Sequence, residues 1–357
     1  MKKNNLILLI SFLILLIVAV ILFFTRYEIK KIDSNGKSKL VIEQKKSTLD
    51  VLRDFAVNDT AAVNKIFLVD KKNNEILLER QNKDTWTVNN KYTARKDLMD
   101  VLLETIARIE VANPVPKSKQ DYVLRDLAAN GVKCEIYQDD KLNKVYYIGG
   151  VTQNNMGTYM LIENSAAAFE VFLPGFSGYL TTRFSTNLME WRNRKAFRYD
   201  LDDIAEIEIE YPQSPDQSFR VKNHGLNDYT IEKIPSQEPV NDFDTIEVKM
   251  LISRFKNVGF EYFLPPDEQA DKIDSLNSLQ PISIFRVTDN KQETRELKCY
   301  CKPNFKQLMD DDGNAYPYDI HRLYGVINDE VVVMQYRTID PLSVKLQNVH
   351  RKDDETR

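Results

Sequence analysis

The first residues of the chain contain an uncharged segment long enough to cross a lipid bilayer. Leu6–Phe24 are nineteen consecutive positions without a charge, and only Ser11 interrupts their apolar character. A helix of this length is about 28 Å long, which matches the hydrocarbon core of a membrane. The run is longer than the roughly 7–15 residues of a signal-peptide core, and no small-x-small cleavage site follows it. The sequence therefore predicts an N-terminal tail and an uncleaved transmembrane anchor over residues 1–26.

The charges beside this segment bear on which side of the membrane the rest of the chain occupies. Lys2 and Lys3 precede the segment, whereas Arg26, Lys30 and Lys31 follow it, so the two counts are nearly balanced. A very short basic N-terminus ahead of a long apolar run is typical of a signal anchor whose N-terminus stays in the cytoplasm. Long domains that follow such an anchor are translocated largely regardless of their charge. We therefore expect the bulk of the chain to be extracytoplasmic.

The composition suits a folded protein and excludes a strongly basic one. The 357 residues carry a formal net charge of −4, so the sequence has none of the basic excess typical of nucleic-acid binding. Hydrophobic residues at 43% and charged residues at 29% are ordinary for a globular protein. The length allows two domains of typical size.

The three cysteines, Cys134, Cys299 and Cys301, make an odd number for a domain of this size. Cys299 and Cys301 stand two positions apart in a strand-like stretch, so both point to one face of the strand. A disulfide between them would need unusual geometry. Buried free thiols are the favoured interpretation, and a redox pair is the alternative.

One order of strands and helices occurs twice in the remainder of the chain. In each copy three strand-like segments precede two amphipathic helices, and four more strand-like segments follow. The helices are predicted to start near Arg95 and Ser118 in the first copy, and near Asp244 and Asp267 in the second. An accidental agreement of a common element order is the alternative to a duplication.

The helix ends carry their own signals. Ser118 and Asp121 stand at N-cap and N3 spacing, and Asp244 and Glu247 stand at the spacing of a capping box. The pair Asn130–Gly131 is predicted to end its helix in the left-handed conformation.

The repeat predicts the fold class and the division of the chain. Trp86 and Tyr229 occupy corresponding positions, at an offset too long for a solenoid repeat. We predict an α+β fold with two tandem related units, each a mainly antiparallel sheet with helices on one face. The predicted segments after the anchor are a membrane-proximal stalk at 27–53, a first unit at 54–185, a connector at 186–203, a second unit at 204–340 and a polar tail at 341–357.

The connector is the predicted partner-binding segment. It carries Trp191, Arg192, Arg194 and Arg198, and an acidic run starts at Asp200. Trp and Arg are the residue types most enriched in the energetically dominant part of protein interfaces. The alternative is a plain interdomain connector whose Trp191 packs into the first domain and whose charges are solvated.

The sequence contains no recognisable catalytic or cofactor motif. His224, His321 and His350 are far apart and belong to no metal-ligand pattern, and no phosphate-binding loop, dinucleotide fingerprint or nucleophile elbow is present. Asp200, Asp202 and the adjacent Asp203 suit an acidic turn better than a glycosidase carboxylate pair. We therefore predict no metal, no cofactor and no enzymatic activity.

A family resemblance rests on several short segments spread over most of the chain. Together with the anchor, the segments that carry it are Asp54–Val57, Lys65–Leu68, Trp86, Trp191–Arg194 and Ile204–Ile207. With them the chain resembles the membrane-anchored bacterial family labelled domain of unknown function 4340. Members of that family often occur beside components of gliding-motility-type ABC exporters, namely the ATPase, the permease and its Gld-like partner.

The resemblance implies an accessory envelope protein and supplies no catalytic residue. It implies a single-pass protein of the bacterial inner membrane with a periplasmic bulk, whose partners are an ABC transporter permease or Gld-like envelope proteins. The competing class is an extracytoplasmic module that binds cell wall or polysaccharide, and a hydrolase is a third class.

Overall fold

The structure is a computed structural model that describes residues 15–21, 23, 27–34, 37–44, 54–165 and 167–349. The chain divides into two compact units, Met1–Leu188 and Met189–Arg357. Strands β1 (Tyr27–Ser34) and β2 (Lys37–Gln44) pair as an antiparallel hairpin within the predicted stalk.

The predicted anchor, Leu6–Phe24, lies mostly outside the described residues, of which 15–21 and 23 are helical. Among the residues that the structure describes, no helix is both long and apolar enough to span a membrane.

A nine-stranded antiparallel sheet forms the centre of the first unit. Its strands are β3 (Val63–Val69), β4 (Glu75–Arg80), β5 (Trp86–Val88), β6 (Tyr92–Thr93), β7 (Glu110–Pro114), β8 (Val132–Gln138), β9 (Lys141–Val151), β10 (Thr158–Ile162) and β11 (Phe169–Phe172). They lie in the spatial order β6-β5-β4-β3-β8-β9-β10-β11-β7. Two helices, α1 (Lys96–Arg108) and α2 (Lys117–Asn130), fall between β6 and β8 in the chain.

The second unit contains a sheet of the same kind. Its nine strands are β13 (Ile204–Glu210), β14 (Phe219–Gly225), β15 (Asp228–Lys233), β16 (Pro239–Val240), β18 (Tyr262–Phe263), β19 (Ser283–Asp289), β20 (Thr294–Pro303), β21 (Tyr318–Ile327) and β22 (Glu330–Gln335). A separate two-stranded sheet joins β12 (Lys195–Arg198) to β17 (Asn257–Gly259). The helices are α3 (Leu188–Trp191), α4 (Thr245–Arg254), α5 (Pro266–Asn277) and α6 (Tyr336–Ile339).

The two large sheets follow one plan, which confirms the predicted repeated architecture. The second sheet has the spatial order β16-β15-β14-β13-β19-β20-β21-β22-β18, which matches the first sheet strand for strand. The central strands β3 and β13 also bury their residues in the same pattern, with the first, fourth and sixth positions inside. The repeated order of strands and helices in the sequence therefore corresponds to two sheets with the same strand order.

The prediction that the helices lie on one face of each sheet is wrong. In β22, Val332 and Met334 belong to the core cluster that contains Leu251 of α4. The intervening Val333 belongs to a separate cluster with Leu276 of α5. Because alternate residues of a strand point to opposite faces, α4 and α5 cover opposite faces of this sheet.

In the first unit, α2 covers one face of β9, and Phe55 packs against the other face. Tyr147 packs with Val123 and Leu127 of α2, whereas its neighbour Tyr146 stacks on Phe55 with ring centroids 5.6 Å apart. The helical period of each helix predicts an apolar stripe but does not determine which face of a sheet that stripe covers.

The predicted helix ends are confirmed in one case and wrong in two. The Oδ1 atom of Asp244 accepts hydrogen bonds from the backbone N–H groups of Ile246 and Glu247, at 2.7 and 3.4 Å, so Asp244 is an N-cap. Ser118 is not a cap, because α2 begins one residue earlier, after Pro116. Gly131 ends α2 in an extended conformation with φ of −68°, not in the left-handed region.

The predicted polar tail belongs in part to the core of the second unit. Leu342, Leu346 and Val349 are buried in the main cluster of that unit. Because these residues are separated by polar ones, the sequence did not indicate that they belong to a core. Residues 350–357 lie outside the described part of the chain.

Candidate partner-binding site

The structure places Trp191 and Arg192, the two leading residues of the predicted site, inside the protein. Trp191 ends α3 and is 1% exposed, and Arg192 is 5% exposed. The Arg192 guanidinium donates two hydrogen bonds to the Glu330 carboxylate, at 2.8 and 2.5 Å, and lies 3.9 Å from the centroid of the Phe263 ring. In this structure their side chains form packing contacts and leave little surface for a partner.

The other two predicted residues are more accessible. Arg194 is half-buried, and its Nη1 donates to the carbonyl oxygen of Glu261 at 2.7 Å. Arg198, the last residue of β12, is exposed. Partner binding through the connector stays a prediction, which now depends on Arg198 and on the outer part of Arg194.

A pocket of ≈610 Å³ lies at one corner of the second unit. It is bounded by the tip of the β14–β15 hairpin, by the 3-10 turn Leu201–Asp203 that precedes β13, and by α4. The residues that bear on its chemistry are Leu201, Asp202, Asn223, Leu226, Tyr229 and Lys249. We name this site the corner pocket.

The tip of the hairpin has an unusual sequence for its backbone conformation. Leu226 and Asn227 form a two-residue loop in which both φ angles are positive, at 52° and 63°. This is a type I′ turn, which favours Asn, Asp and Gly, and a leucine there is uncommon. The turn holds the Leu226 side chain fully exposed at the mouth of the pocket. Costly local conformations of this kind cluster at functional sites.

Amide side chains fix the walls of the corner pocket. Asn223 Nδ2 donates to the carbonyl oxygen of Ile204 at 2.9 Å. Asn290 donates through its backbone N–H to the carbonyl oxygen of Asp203 at 3.0 Å and through Nδ2 to that of Asp202 at 2.6 Å. These bonds connect the β14–β15 hairpin and the residue after β19 to the turn before β13. The walls of the pocket are therefore fixed by hydrogen bonds within the unit.

The chemical character of the pocket is mixed. Asp202 and Lys249 are exposed at its wall, and Tyr229 is half-buried between them and the core. Burial raises the pKa of the Tyr229 phenol. An aromatic ring, a carboxylate and backbone carbonyl groups together suit a small planar polar group better than an apolar one.

Sequence reasoning missed this pocket, although two signals pointed toward it. The sequence showed that Trp86 and Tyr229 correspond. It did not show that the smaller tyrosine ring would leave space at this position. Asp202 was interpreted as part of an acidic turn. A pocket depends on the volume left between elements, which element order does not reveal.

The second sheet carries a ladder of ion pairs between neighbouring strands. Arg286 pairs with Glu208, Glu210 and Glu296 at 3.2, 2.8 and 2.6 Å, and Arg220 pairs with Glu208 and with Glu206. Although burial alone would lower the pKa of Arg286, the hydrogen bonds that its guanidinium donates to these carboxylates raise that pKa above the usual arginine range. The ladder crosses four neighbouring strands, β14, β13, β19 and β20, and its arginines pair with carboxylates of the same sheet.

The titratable residues of the described part form no metal-like cluster. No group of three or more His, Cys, Asp or Glu side chains is placed there so as to hold an ion. Cys134 and Cys299 are buried free thiols, and Cys301 is a half-buried one.

The comparisons with known proteins identify a family. The family model described as a domain of unknown function, DUF4340, matches residues 86–276, which are 191 of the 357 residues. That range includes the walls that α4 and the β14–β15 hairpin contribute to the corner pocket. No curated protein and no solved structure matches the chain. The match covers more than half of the sequence, and the chain therefore belongs to the DUF4340 family.

Proposed function

We propose that this protein is a non-enzymatic, membrane-anchored envelope protein that serves as an accessory subunit of an ABC export or gliding-motility-type complex. In this proposal Leu6–Phe24 anchors it in the bacterial inner membrane, and its two sheet units lie on the periplasmic side. The ectodomain binds a partner or a cargo, such as the transporter permease or a Gld-like envelope protein.

The corner pocket and the exposed apolar side chains of the same unit are the observations that carry the binding role. Leu226 is fully exposed at the mouth of the pocket. On the adjoining helix α4, Ile246 and Met250 stand four positions apart and are 69% and 41% exposed. Residues four apart in a helix are neighbours on its surface, so they form one apolar strip. Exposed apolar strips and pockets with polar groups are both typical of interaction sites.

The test is purification of the full chain from membranes in a mild detergent, followed by quantitative mass spectrometry. The proposal expects components of an ABC exporter or its envelope partners to be enriched. A variant with Leu226→Asn and Ile246→Gln is expected to reduce their recovery about tenfold. Asn suits the positive φ at position 226, so this change preserves the turn. The matched control is Tyr122→Gln, which changes a 69% exposed residue on α2 of the first unit.

Three results would contradict the proposal. One is the absence of any enriched membrane protein when the bait is intact. Another is equal recovery with the double variant and with wild type. The third is sedimentation of the full chain with purified cell-wall sacculi without any enriched membrane protein, which would favour the cell-wall binding module instead.

The location is tested separately. A reporter that is active only in the periplasm, fused after Arg357, is expected to be active. Activity from a cytoplasmic reporter at the same position would overturn the periplasmic assignment.

A further inference from the structure

We propose that the corner pocket binds a guanidinium group, the head of an arginine side chain from a partner protein. The inference comes from comparing the same corner in the two units. In the first unit an arginine of the chain itself occupies this corner, and in the second unit a shorter residue stands in its place.

The correspondence of the two corners rests on strand register. Arg80 of β4 lies directly opposite Trp86 of β5, and Asn223 of β14 lies directly opposite Tyr229 of β15. Each of the two residues also makes the same bond to the first residue of the central strand. Arg80 Nε donates to the carbonyl oxygen of Val63 at 2.8 Å, and Asn223 Nδ2 donates to that of Ile204 at 2.9 Å.

The guanidinium of Arg80 fills the corner of the first unit. Its Cζ atom lies 4.6 Å from the centroid of the Trp86 ring, within the range of a cation–π contact. Its Nη2 donates to the carbonyl oxygen of Thr60 at 2.8 Å, and its Nη1 lies 3.5 Å from that of Lys83. The planar cation is therefore stacked on one side and hydrogen-bonded around its edge.

The corner of the second unit keeps the acceptor that corresponds to Thr60 but has no arginine at the position of Arg80. Leu201 corresponds to Thr60, because each carbonyl oxygen accepts a bond from the backbone N–H three residues later, of Ile204 and Val63 respectively. Asn223 repeats only the bond of Arg80 Nε, since its side chain ends there. A carbonyl oxygen has two lone pairs, so Leu201 retains acceptor capacity toward the pocket.

The second corner also adds a carboxylate. Asp202 lines the pocket beside Leu201 and offers two further acceptor oxygens. Tyr229 supplies an aromatic ring where the first unit has Trp86. A guanidinium fits this set better than an ammonium, because it is planar, stacks on aromatic rings and donates in several fixed directions.

Lys249 lines the same pocket and opposes a cationic ligand. It is exposed and flexible, so its ammonium can move toward solvent when the pocket is occupied. Its removal should therefore tighten binding, which gives the test a variant that gains affinity.

The proposal deepens the proposed function, on which it rests only for the source of the arginine. The chemistry of the pocket can be measured without any partner. The test uses the full chain in detergent and ligand-observed NMR with N-acetyl-arginine methylamide, with the matching lysine compound as the comparison.

The arginine compound is expected to bind at least about fivefold more tightly than the lysine compound. Tyr229→Ala and Asp202→Asn are each expected to weaken binding about fivefold, the size of a partly exposed cation–π contact or charged hydrogen bond. Lys249→Ala is expected to tighten it about twofold or more. Tyr122→Ala, on the first unit, should leave binding unchanged.

A transplant variant keeps the test sharp even if Tyr229→Ala unfolds. Asn223→Arg combined with Tyr229→Trp places the pair of the first unit into the second, so it should fill the pocket, preserve the fold and abolish binding. Equal binding of the arginine and lysine compounds, or retained binding by the transplant variant, would overturn the proposal.

The same measurements separate this inference from the proposed function. Binding of the arginine compound without any co-purified membrane partner supports the pocket chemistry and contradicts the accessory-subunit role. Partners that co-purify equally well with wild type and with the transplant variant would support the accessory-subunit role. They would overturn the claim that a partner inserts an arginine into the pocket.

Discussion

Arg192 and Glu330 form a two-point ion pair between residues 138 positions apart, with N–O distances of 2.8 and 2.5 Å. The arginine is 5% exposed, and the Glu330 side chain is 31% exposed. The pair joins the segment after α3 to the start of β22, so it stabilises the second unit.

Arg192→Ala is expected to lower the free energy of unfolding by about 2 kcal/mol. The loss arises because the substitution removes one partner of a largely buried ion pair. It is reduced because the remaining Glu330 carboxylate is partly exposed to solvent. Arg192→Lys should be intermediate, since an ammonium cannot donate two parallel bonds. Denaturant titration of the full chain in detergent, followed by circular dichroism, measures the change. Arg198→Ala is the control, expected within about 0.5 kcal/mol of wild type; an equal loss there would contradict a specific role of the pair.

The Asp70 carboxylate stabilises the protein at neutral pH, and this contribution is lost in acid. Burial acts to raise its pKa, but hydrogen bonds from Asn74, Thr186 and the backbone N–H of Lys72 outweigh it and lower the pKa to about 2. A carboxylate with a lowered folded-state pKa stabilises the protein above its ordinary pKa, and this contribution is lost as the pH falls from about 3.8 toward about 2.

Asp70→Asn is therefore expected to lower stability at pH 7 and to flatten the loss of stability between pH 4 and pH 2. Free energies of unfolding of wild type and variant at pH 7, 4, 3 and 2 test this. Asp121→Asn changes an exposed carboxylate on α2 and serves as the control. Parallel curves for wild type and Asp70→Asn below pH 4 would show that Asp70 does not carry this dependence.

Gly131 is required by close packing at the end of α2. A Cβ atom there would lie 2.4 Å from the carbonyl oxygen of Leu127, whereas at Gly150 the nearest atom would be 3.6 Å away. Gly131→Ala should cost about 1–3 kcal/mol of stability, as overpacking does, and Gly150→Ala should cost much less. Thermal unfolding of both variants measures the difference. Equal melting temperatures would mean that the helix end shifts freely.

The cysteines should differ sharply in reactivity. Burial raises the pKa of the Cys134 thiol above its usual range and that of Cys299 to about 12, whereas Cys301 is half-buried. Because the thiolate is the reactive form, iodoacetamide should label Cys301 first in the native protein and all three in urea. Mass spectrometry of the labelled peptides follows this. Labelling of Cys134 as fast as that of Cys301 before unfolding would contradict its burial.

The repeat was predictable from the sequence because strand and helix patterns are local. The alternation in Val63–Val69 and Ile204–Glu210 shows which residues face a core. Short edge strands such as β7 are hard to recognise from the sequence, because so few residues carry too little periodicity.

Only the tertiary structure decided the rest. The pattern of α5 indicates an apolar stripe, but its position on the face opposite α4 follows from packing against β22. Trp191 and Arg192 have the residue types of an interface, yet both are buried, and Arg192 contacts Glu330 and Phe263, which are distant in the chain. At the register position where Arg80 fills the corner of the first unit, the second unit has the shorter Asn223 in the wall of its pocket. Periodicity depends on residues that are neighbours in the chain. Burial, ion pairs and cavities depend on contacts between segments that are distant in the chain.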